Sequence, residues 1–338
     1  MVKRQTLSLD RGAGGGEPTQ VWTGEGALEA YARRDEEWLA GRSLFVITDR
    51  RVARLHGSVL EPLRRRAAEA RVYHVPAGEA GKELSEAERL WRRLLRDGAR
   101  RDSCLVAFGG GSIGDLGGFV ASTLFRGVVF LQLPTTLLAQ VDAALGGKTA
   151  IDLPEAKNCV GTFHQPRAVI AESAALATLP RREMISGLAE VIKMGATLDH
   201  TLFERVERNL ERLVAGDRDS LAPLIVAAQK VKIDVVEADP REEDSRRALN
   251  FGHTLGHAIE AVLGYKGLRH GEAVAYGMLF ALRLARRRGL DREVEGRIAS
   301  LIRRLPLPPL PQMSASRLLS VMGRDKKASR AGLVWILP

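Results

Sequence analysis

The sequence has little cysteine, no long apolar run and no apolar segment near its start. Cys104 and Cys159 are the only cysteines among 338 residues, and their spacing matches neither a disulfide framework nor a zinc ribbon. No stretch approaches the roughly eighteen uninterrupted apolar residues that a membrane helix needs. The opening residues, MVKRQTLSLDRG, lack the apolar core of a secretory signal. We therefore expect a folded cytoplasmic protein that does not insert into a membrane.

Acidic residues are outnumbered by basic ones. The 51 Lys+Arg and 41 Asp+Glu give a formal net charge of +10, an excess that suits nucleic acid, an anionic membrane surface or small anionic substrates. Much of the arginine lies in segments that mix both signs, such as 204–212, and such segments usually form solvated helix faces. No nucleic-acid-binding motif accompanies the charge. Small anions are therefore the expected partners, and nucleic acid is not.

Two kinds of hydrophobic pattern divide the chain. In the first half, short apolar segments alternate with turns and helical patterns, which predicts βαβ units and a mostly parallel sheet. These segments lie at 43–48, 72–75, 103–108, 128–133 and 168–171. From about Leu179 onward a helical period replaces them, at 181–198, 201–215, 220–238, 250–263, 271–288 and 293–304. Only the run at 333–337 is strand-like again.

The predicted architecture follows from this division and from the chain length, which exceeds what one hydrophobic core usually supports. We expect an α/β, Rossmann-like domain with a mostly parallel sheet over residues 1–178. An all-α domain should follow over residues 179–338. The residues that carry chemistry are distributed over both parts.

A glycine-rich segment, FGGGSIGDLGG at 108–118, follows a predicted strand and opens a predicted helix. Its backbone amides could face a diphosphate there. The segment is not a strict G-x-G-x-x-G, and a tight strand-to-helix turn explains the glycines equally well. Asp115 would lie in the first turn of the helix. Thr135 and Thr136 follow the next strand, where they could contact the same ligand or cap a helix.

Charged residues in apolar surroundings form two further groups. Asp142 and Lys148 lie in a glycine-bearing segment, and Lys157 and Asn158 follow shortly after. Because lysine is a strong partner for carboxylate and phosphate, several such lysines would suit a multiply anionic substrate.

The second group could hold a metal ion. Glu190 and Lys193 are three residues apart and share a helix face, where a salt bridge is the alternative. His253 and His257 have the i, i+4 spacing that can serve a metal, and His270 lies at a helix start. Carboxylate and imidazole ligands suit catalytic zinc.

Six segments occur in the order and at the spacing of a known family: GGGSIGDLGGF, LPTTLLAQVDAALGGKTAID, KNCVGTFHQP, GLAEVIK, LNFGHTLGHAIE and HGEAVAYGM. On these segments, from about Asp49 to Lys327, the sequence resembles the 3-dehydroquinate synthases. The resemblance implies NAD and a divalent metal, Zn²⁺ or Co²⁺, as cofactors, and a homodimer. It also implies a carbon–oxygen lyase that converts 3-deoxy-D-arabino-heptulosonate 7-phosphate to 3-dehydroquinate and phosphate, the second step of the shikimate pathway.

The resemblance also implies roles for individual residues. The metal ligands would be Glu190, His253 and His270, with His257 transferring protons and contacting substrate, although spacing alone nominates His257 as a ligand. The residues implied to contact NAD are Asp49, Glu79, Lys82, Gly109, Gly110, Gly111, Ser112, Asp115, Thr135, Thr136, Lys148, Lys157 and Thr178. Those implied to contact substrate are Arg126, Asp142, Lys148, Asn158, Lys157, Lys193, Lys232, Arg246, Asn250, His257 and one of Lys326 and Lys327. The residues implied in catalysis are His257, Lys148, Lys193, Arg246 and Asn250.

Four positions depart from the family pattern: Ala143, Ala144, Cys159 and Thr162. None removes a catalytic group, but they leave the substrate preference open. One alternative is another sugar phosphate cyclase, which makes a valiolone- or inosose-type cyclitol from a substrate without the carboxylate. Arg246 and Asn250 favour the dehydroquinate branch over it. A metal-dependent alcohol or glycerol dehydrogenase would release NADH and would not need this set of lysines.

Overall fold

The computed structural model describes residues 1–9, 17–323 and 335–338. The chain forms two compact units, Met1–Leu179 with Lys232–Glu237, and Pro180–Val231 with Ala238–Pro338. The predicted fold class is confirmed, because the first unit contains a mostly parallel sheet and the second is helical.

The main sheet has seven strands in the order β1-β2-β9-β6-β5-β3-β4. Adjacent strands of this sheet are parallel except at one edge, where β1 pairs with β2 in the antiparallel sense. A separate antiparallel ribbon consists of β7 and β8. The strands are β1 Lys3–Leu7, β2 Thr19–Gly24, β3 Ser43–Asp49, β4 Glu69–Val75, β5 Cys104–Gly109, β6 Val129–Pro134, β7 Lys148–Leu153, β8 Ala156–Phe163 and β9 Ala168–Glu172.

The central strands are apolar because both of their faces are covered. Along β3, Leu44 and Val46 belong to one hydrophobic cluster and Phe45 and Ile47 to another. Successive side chains of a strand point to opposite faces, so the two clusters lie on the two sides of the sheet. The patterns that predicted the central strands do not reveal β1, β2 or the ribbon. β1 is mostly exposed and polar, and β8 is mostly exposed, with polar residues and a glycine between its apolar ones, so neither has a continuous apolar run.

Thirteen α-helices occur in the described residues. They are α1 Ala27–Arg34, α2 Glu36–Ala40, α3 Arg50–His56, α4 Glu61–Arg64, α5 Leu84–Arg96, α6 Gly111–Thr123, α7 Arg181–Thr197, α8 His200–Val214, α9 Arg218–Ala238, α10 His253–Val262, α11 His270–Arg287, α12 Arg292–Arg304 and α13 Ala315–Met322. None of these helices combines the length and the apolar composition that crossing a bilayer requires.

Two sequence predictions need correction or fall outside the structure. The helix expected over 250–263 begins only at His253, because Ser245–Asn250 forms a 3₁₀ turn and Gly252 adopts φ 81°. A positive φ cannot continue a right-handed helix. In the strand-like run at 333–337, residues 333 and 334 lie outside the described residues, and 335–337 belong to no strand or helix.

Candidate active site

Three helices of the second unit bring one carboxylate and two imidazoles together. Glu190 lies within α7, and its side chain is buried. His253 and His270 are the first residues of α10 and α11. Glu190 Oε1 lies 3.4 Å from His270 Nε2 and 4.0 Å from His253 Nε2. The three residues that family resemblance nominated as metal ligands therefore converge on one point.

Hydrogen bonds fix the direction in which both imidazoles face. His253 Nδ1 lies 3.3 Å from the Phe251 carbonyl oxygen, and His270 Nδ1 lies 3.1 Å from Glu260 Oε2. Because both oxygens are acceptors, each Nδ1 carries a proton and each Nε2 faces the cluster. Glu190 Oε1 is buried and, among the described residues, has no hydrogen-bond partner. A buried, unsatisfied carboxylate oxygen facing two imidazole nitrogens fits a divalent cation.

His257 belongs to the same cluster. His253, His257 and His270 offer nitrogen atoms that all lie within 4.8 Å of one another. The His257 ring centroid is 5.2 Å from that of His253 and 5.8 Å from that of His270. Geometry thus places His257 beside the proposed ligands, as its spacing indicated, and the proton-transfer role remains a prediction.

Glu260 is a member of the cluster that the sequence patterns missed. It is buried on α10, and its carboxylate accepts a hydrogen bond from His270 Nδ1. Burial lowers the pKa of His270, but the carboxylates of Glu260 and Glu190 outweigh it and raise that pKa to about 10. The charge that favours a proton on His270 also favours a cation in its place. Helical spacing could have identified Glu260, since His253, His257 and Glu260 lie at i, i+4 and i+7 and therefore share one helix face.

Other predicted residues of the second unit are held by contacts with neighbouring side chains or backbone. Lys193 forms an ion pair with Glu190 Oε2, and both side chains are buried. Lys193 thereby occupies the carboxylate oxygen that does not face the histidines. The Arg246 guanidinium is buried and donates to the Pro240 carbonyl oxygen at 2.7 Å. Asn250 Nδ2 donates to Glu242 Oε1 at 2.5 Å.

In the first unit, the glycine-rich segment joins the carboxyl end of β5 to α6. Thr135, after β6, donates its backbone N–H to the Gly109 oxygen at 2.8 Å, which ties the ends of β5 and β6 together. A Cβ added at Gly117 would lie 2.8 Å from the Ala107 Cβ. At Gly114 it would lie 2.6 Å from Gln132 Oε1. These two glycines therefore allow α6 to pack closely on the sheet, while the first amides of α6 remain without partners inside the helix.

Around this loop, the position of Asp115 and the role of Thr136 differ in part from what the sequence predicted. Because α6 begins at Gly111, Asp115 lies beyond the first turn of that helix and not within it as the sequence predicted. Thr136 Oγ1 accepts the Ala139 N–H at 3.2 Å, so its hydroxyl caps the following helical segment. A Cβ at Gly110 would lie 3.2 Å from Thr136 Cγ2. Glycine at this position therefore lets Thr136 lie close to the backbone of the loop.

Lys82 links several of the predicted NAD contacts. It is buried, and its Nζ donates to Asp115 Oδ2 at 2.5 Å and to Asn158 Oδ1. Burial lowers the pKa of Lys82, but Asp115 and Glu79 raise it above its usual value. Glu79 Oε2 lies 3.1 Å from Lys157 Nζ. The structure thus joins five of the predicted site residues in one charged network.

A second network surrounds Asp142. This residue lies in a π-helical turn, Ala139–Ala143, a geometry that often marks functional sites. Its Oδ1 accepts a hydrogen bond from Lys232 Nζ, and Lys232 is buried. Because residues 232–237 cluster with the first unit, one end of α9 supplies this lysine.

Three predicted residues have other contacts or positions. Asp49 Oδ1 accepts the N–H groups of Arg51 and Val52, so its carboxylate caps α3. Thr178 Oγ1 lies 2.8 Å from His56 Nε2. Arg126 is exposed, has φ 66° and precedes β6, whereas Thr135 follows that strand. Arg126 and Thr135 therefore lie at opposite ends of β6, and the contact of Arg126 with substrate remains a prediction. Lys326 and Lys327 lie outside the described residues.

The two halves of the chain match two family models. Residues 72–186 match the N-terminal model of 3-dehydroquinate synthase, and residues 187–328 match the C-terminal model. The chain belongs to the 3-dehydroquinate synthase family. The charged clusters around Lys82, Asp142 and Glu190 lie within these two matched regions.

Curated members of the 3-dehydroquinate synthase family match over most of their own length. The 3-dehydroquinate synthase of Geobacter metallireducens is 44% identical over 317 residues, which is 93% of this chain and 88% of the relative. That of Symbiobacterium thermophilum is 45% identical over 303 residues, 88% of this chain and 84% of the relative.

Solved structures of related cyclases share the fold. A 2-deoxy-scyllo-inosose synthase complexed with carbaglucose-6-phosphate, NAD⁺ and Co²⁺ is 26% identical, with a TM-score of 0.88 over 98% of this chain and 89% of the other. The 2-epi-5-epi-valiolone synthase of Streptomyces hygroscopicus, with NAD⁺ and Zn²⁺ bound, is 28% identical, with a TM-score of 0.81 over 90% and 85%. An iron-containing alcohol dehydrogenase of Thermotoga maritima, 17% identical with a TM-score of 0.70 over 91% of each chain, shares the fold alone.

Proposed function

We propose that this chain is a 3-dehydroquinate synthase. It converts 3-deoxy-D-arabino-heptulosonate 7-phosphate to 3-dehydroquinate and phosphate, with NAD and a divalent metal as cofactors. The observation that carries the proposal is the convergence of Glu190 Oε1 with the Nε2 atoms of His253 and His270. It occurs in a chain that is 43–45% identical to proteins with that activity over most of its length.

Glu190, His253 and His270 would hold Zn²⁺ or Co²⁺. When bound there, the cation polarises the substrate alcohol and lowers its pKa. Lys193 holds the second oxygen of Glu190 and so keeps Oε1 directed at the histidines. His257, beside this group, would exchange protons with the substrate. The ions named with two related cyclases support this choice of metal.

The first unit would bind NAD, which would supply reversible hydride transfer with the substrate. The amides at the start of α6 would contact the diphosphate. Lys82, held by Asp115, would place a positive charge beside the dinucleotide. We propose residues 1–178 as the NAD-binding domain and 179–338 as the domain that binds the metal and part of the substrate.

The substrate carries a carboxylate, a phosphate and several hydroxyls, and basic side chains would neutralise its charges. By family resemblance this task is assigned to four residues, Lys148, Lys193, Lys232 and Arg246. Burial of Lys193, Lys232 and Arg246 strengthens their interaction with an anion, because water screens a buried charge less. Such a set of cations holds a flexible polyanion in one conformation, which lowers the barrier by positioning.

A second candidate is a cyclitol synthase, since two related cyclases of that type share the fold closely. Their sequence identity is 26–28%, against 43–45% for the 3-dehydroquinate synthases. We therefore favour the carboxylate-bearing substrate. We also propose a homodimer and a cytoplasmic location, both on the basis of family resemblance, and no role for nucleic acid.

The proposal is tested by phosphate release from 3-deoxy-D-arabino-heptulosonate 7-phosphate with a catalytic amount of NAD. Phosphate should appear without net NADH, and chelation or His253→Ala should abolish the reaction. His200→Ala is the matched control, because His200 is exposed on α8 and pairs with Glu204.

Three other outcomes separate the alternatives. Net NADH formation would indicate an alcohol dehydrogenase. Phosphate release only from sugar phosphates that lack a carboxylate would indicate a cyclitol synthase. Retained activity in His253→Ala would exclude the proposed metal site.

A further inference from the structure

Asp152 is a carboxylate beside the proposed NAD site to which the proposed mechanism assigns no role. It lies on β7, and its Oδ1 accepts the backbone N–H of Asn158 at 2.9 Å. Asn158 has φ 52°, a left-handed conformation that few non-glycine residues adopt. The hydrogen bond from Asn158 to Asp152 therefore holds the backbone of a proposed substrate residue in an uncommon geometry.

The backbone of Asp152 is tied to the segment that carries Lys82. Its N–H donates to the Lys82 carbonyl oxygen at 2.7 Å, and Asp152 forms a parallel bridge with Glu83. From that segment Lys82 Nζ reaches back to Asn158 Oδ1 and to Asp115. Asp152 thus contacts the backbone of both Lys82 and Asn158, the two residues whose side chains hydrogen-bond to each other.

A second carboxylate faces Asp152. The carboxyl groups of Glu79 and Asp152 are close enough for each to influence the ionisation of the other. Burial and Glu79 raise the pKa of Asp152 to about 6. Burial acts to raise the pKa of Glu79, but Lys82 and Lys157 outweigh it and lower that pKa below its usual value. Asp152 is therefore the carboxyl of the pair that protonates first as the pH falls. The charged groups around the pair come from the segment before α5, from α6 and from β8: Lys82, Glu83, Asp115 and Lys157. Lys148 of β7 acts on Asp115.

We infer that Asp152 is a positioning residue, which holds Asn158 and Lys82 in the geometry that binds the dinucleotide and the sugar phosphate. The inference rests on the proposed function, since that function makes this network the NAD site. Asp152→Ala removes the acceptor for the Asn158 N–H and the partner of Glu79. Asp152→Asn keeps both contacts, because its amide oxygen accepts and its amide N–H₂ donates.

The test is titration of the full-length, metal-loaded protein with NAD, with the dissociation constant measured by calorimetry. Asp152→Ala should raise the Kd roughly tenfold, which corresponds to one lost polar contact. Asp152→Asn should stay within about threefold of wild type. Glu155→Ala, in the exposed turn between β7 and β8, should leave the Kd unchanged. In turnover, Asp152→Ala should raise the KM for NAD more than it lowers kcat.

A pH profile of the Kd supplies a second readout that does not depend on the alanine variant folding. Wild type should bind NAD more weakly as pH rises through about 6, because Asp152 then ionises beside Glu79 and an anionic ligand. Asp152→Asn should not show that change.

Three results would overturn the inference about Asp152 but not the proposed function. The first is a wild-type Kd for NAD in Asp152→Ala, and the second is a Kd in Asp152→Asn as high as in Asp152→Ala. The third is the same pH profile of the Kd in wild type and in Asp152→Asn. Wild-type protein that binds no NAD would instead overturn the proposed function together with it.

Discussion

The side chain of Glu260 orients His270 at the proposed metal site. Its carboxylate holds the Nδ1 of His270, so Nε2 points towards Glu190. Family resemblance identified His270 and Glu190, because these residues lie in recognisable segments. Glu260 and Asp152 are the last residues of two such segments, but they were assigned no role, since each acts through a neighbouring residue.

Replacing Glu260 should therefore weaken metal binding. Glu260→Ala should raise the dissociation constant for Zn²⁺ or Co²⁺ about 10- to 100-fold, the usual range for residues that orient a ligand. Glu260→Gln should lose less, because its amide oxygen still accepts the Nδ1 proton. Competition with a chromophoric chelator measures both affinities. Glu88→Ala, which removes an exposed carboxylate from α5, is the control, and equal affinity in all variants would contradict the positioning role.

At the scale of elements, close packing of helices places the functional groups. A Cβ at Gly277 of α11 would lie 1.9 Å from the Gly252 oxygen, so this glycine lets α11 approach the start of α10. That approach brings His253 near His270. In the first unit, Gly117 has the same role where α6 packs against β5. Periodicity predicted most of these helices, but it carries no information about which helices touch.

Gly117→Ala should destabilise the protein by about 1–3 kcal/mol, the usual cost of overpacking a core. The added Cβ would lie 2.8 Å from the Ala107 Cβ, which cannot rotate away. Gly296→Ala is the matched control, because no atom lies within 4 Å of the added Cβ on α12. It should instead stabilise the protein by roughly 0.5–1 kcal/mol through helix propensity. Urea denaturation measures both, and equal effects of the two substitutions would contradict close packing at Gly117.

At the scale of the whole molecule, the formal net charge of +10 should favour association with an anionic substrate. Raising the ionic strength from 0.1 to 1 M shortens the Debye length from about 10 Å to about 3 Å. We expect kcat/KM for the sugar phosphate to fall roughly three- to tenfold, mainly through KM. Steady-state kinetics in NaCl test this, with the thermal unfolding midpoint as a control. An unchanged kcat/KM would show that surface charge plays no part in substrate capture.

The sequence by itself determined the family, the division into a sheet-containing and a helical part, and most residues of the proposed site. These depend on motif order and local periodicity, which are properties of consecutive residues. Only the tertiary structure decided that Glu190 Oε1 meets two imidazoles, that Lys232 reaches Asp142, and that Asp152 supports Asn158. Those contacts join residues from separate elements, and they depend on how helices and strands pack, which no local pattern encodes.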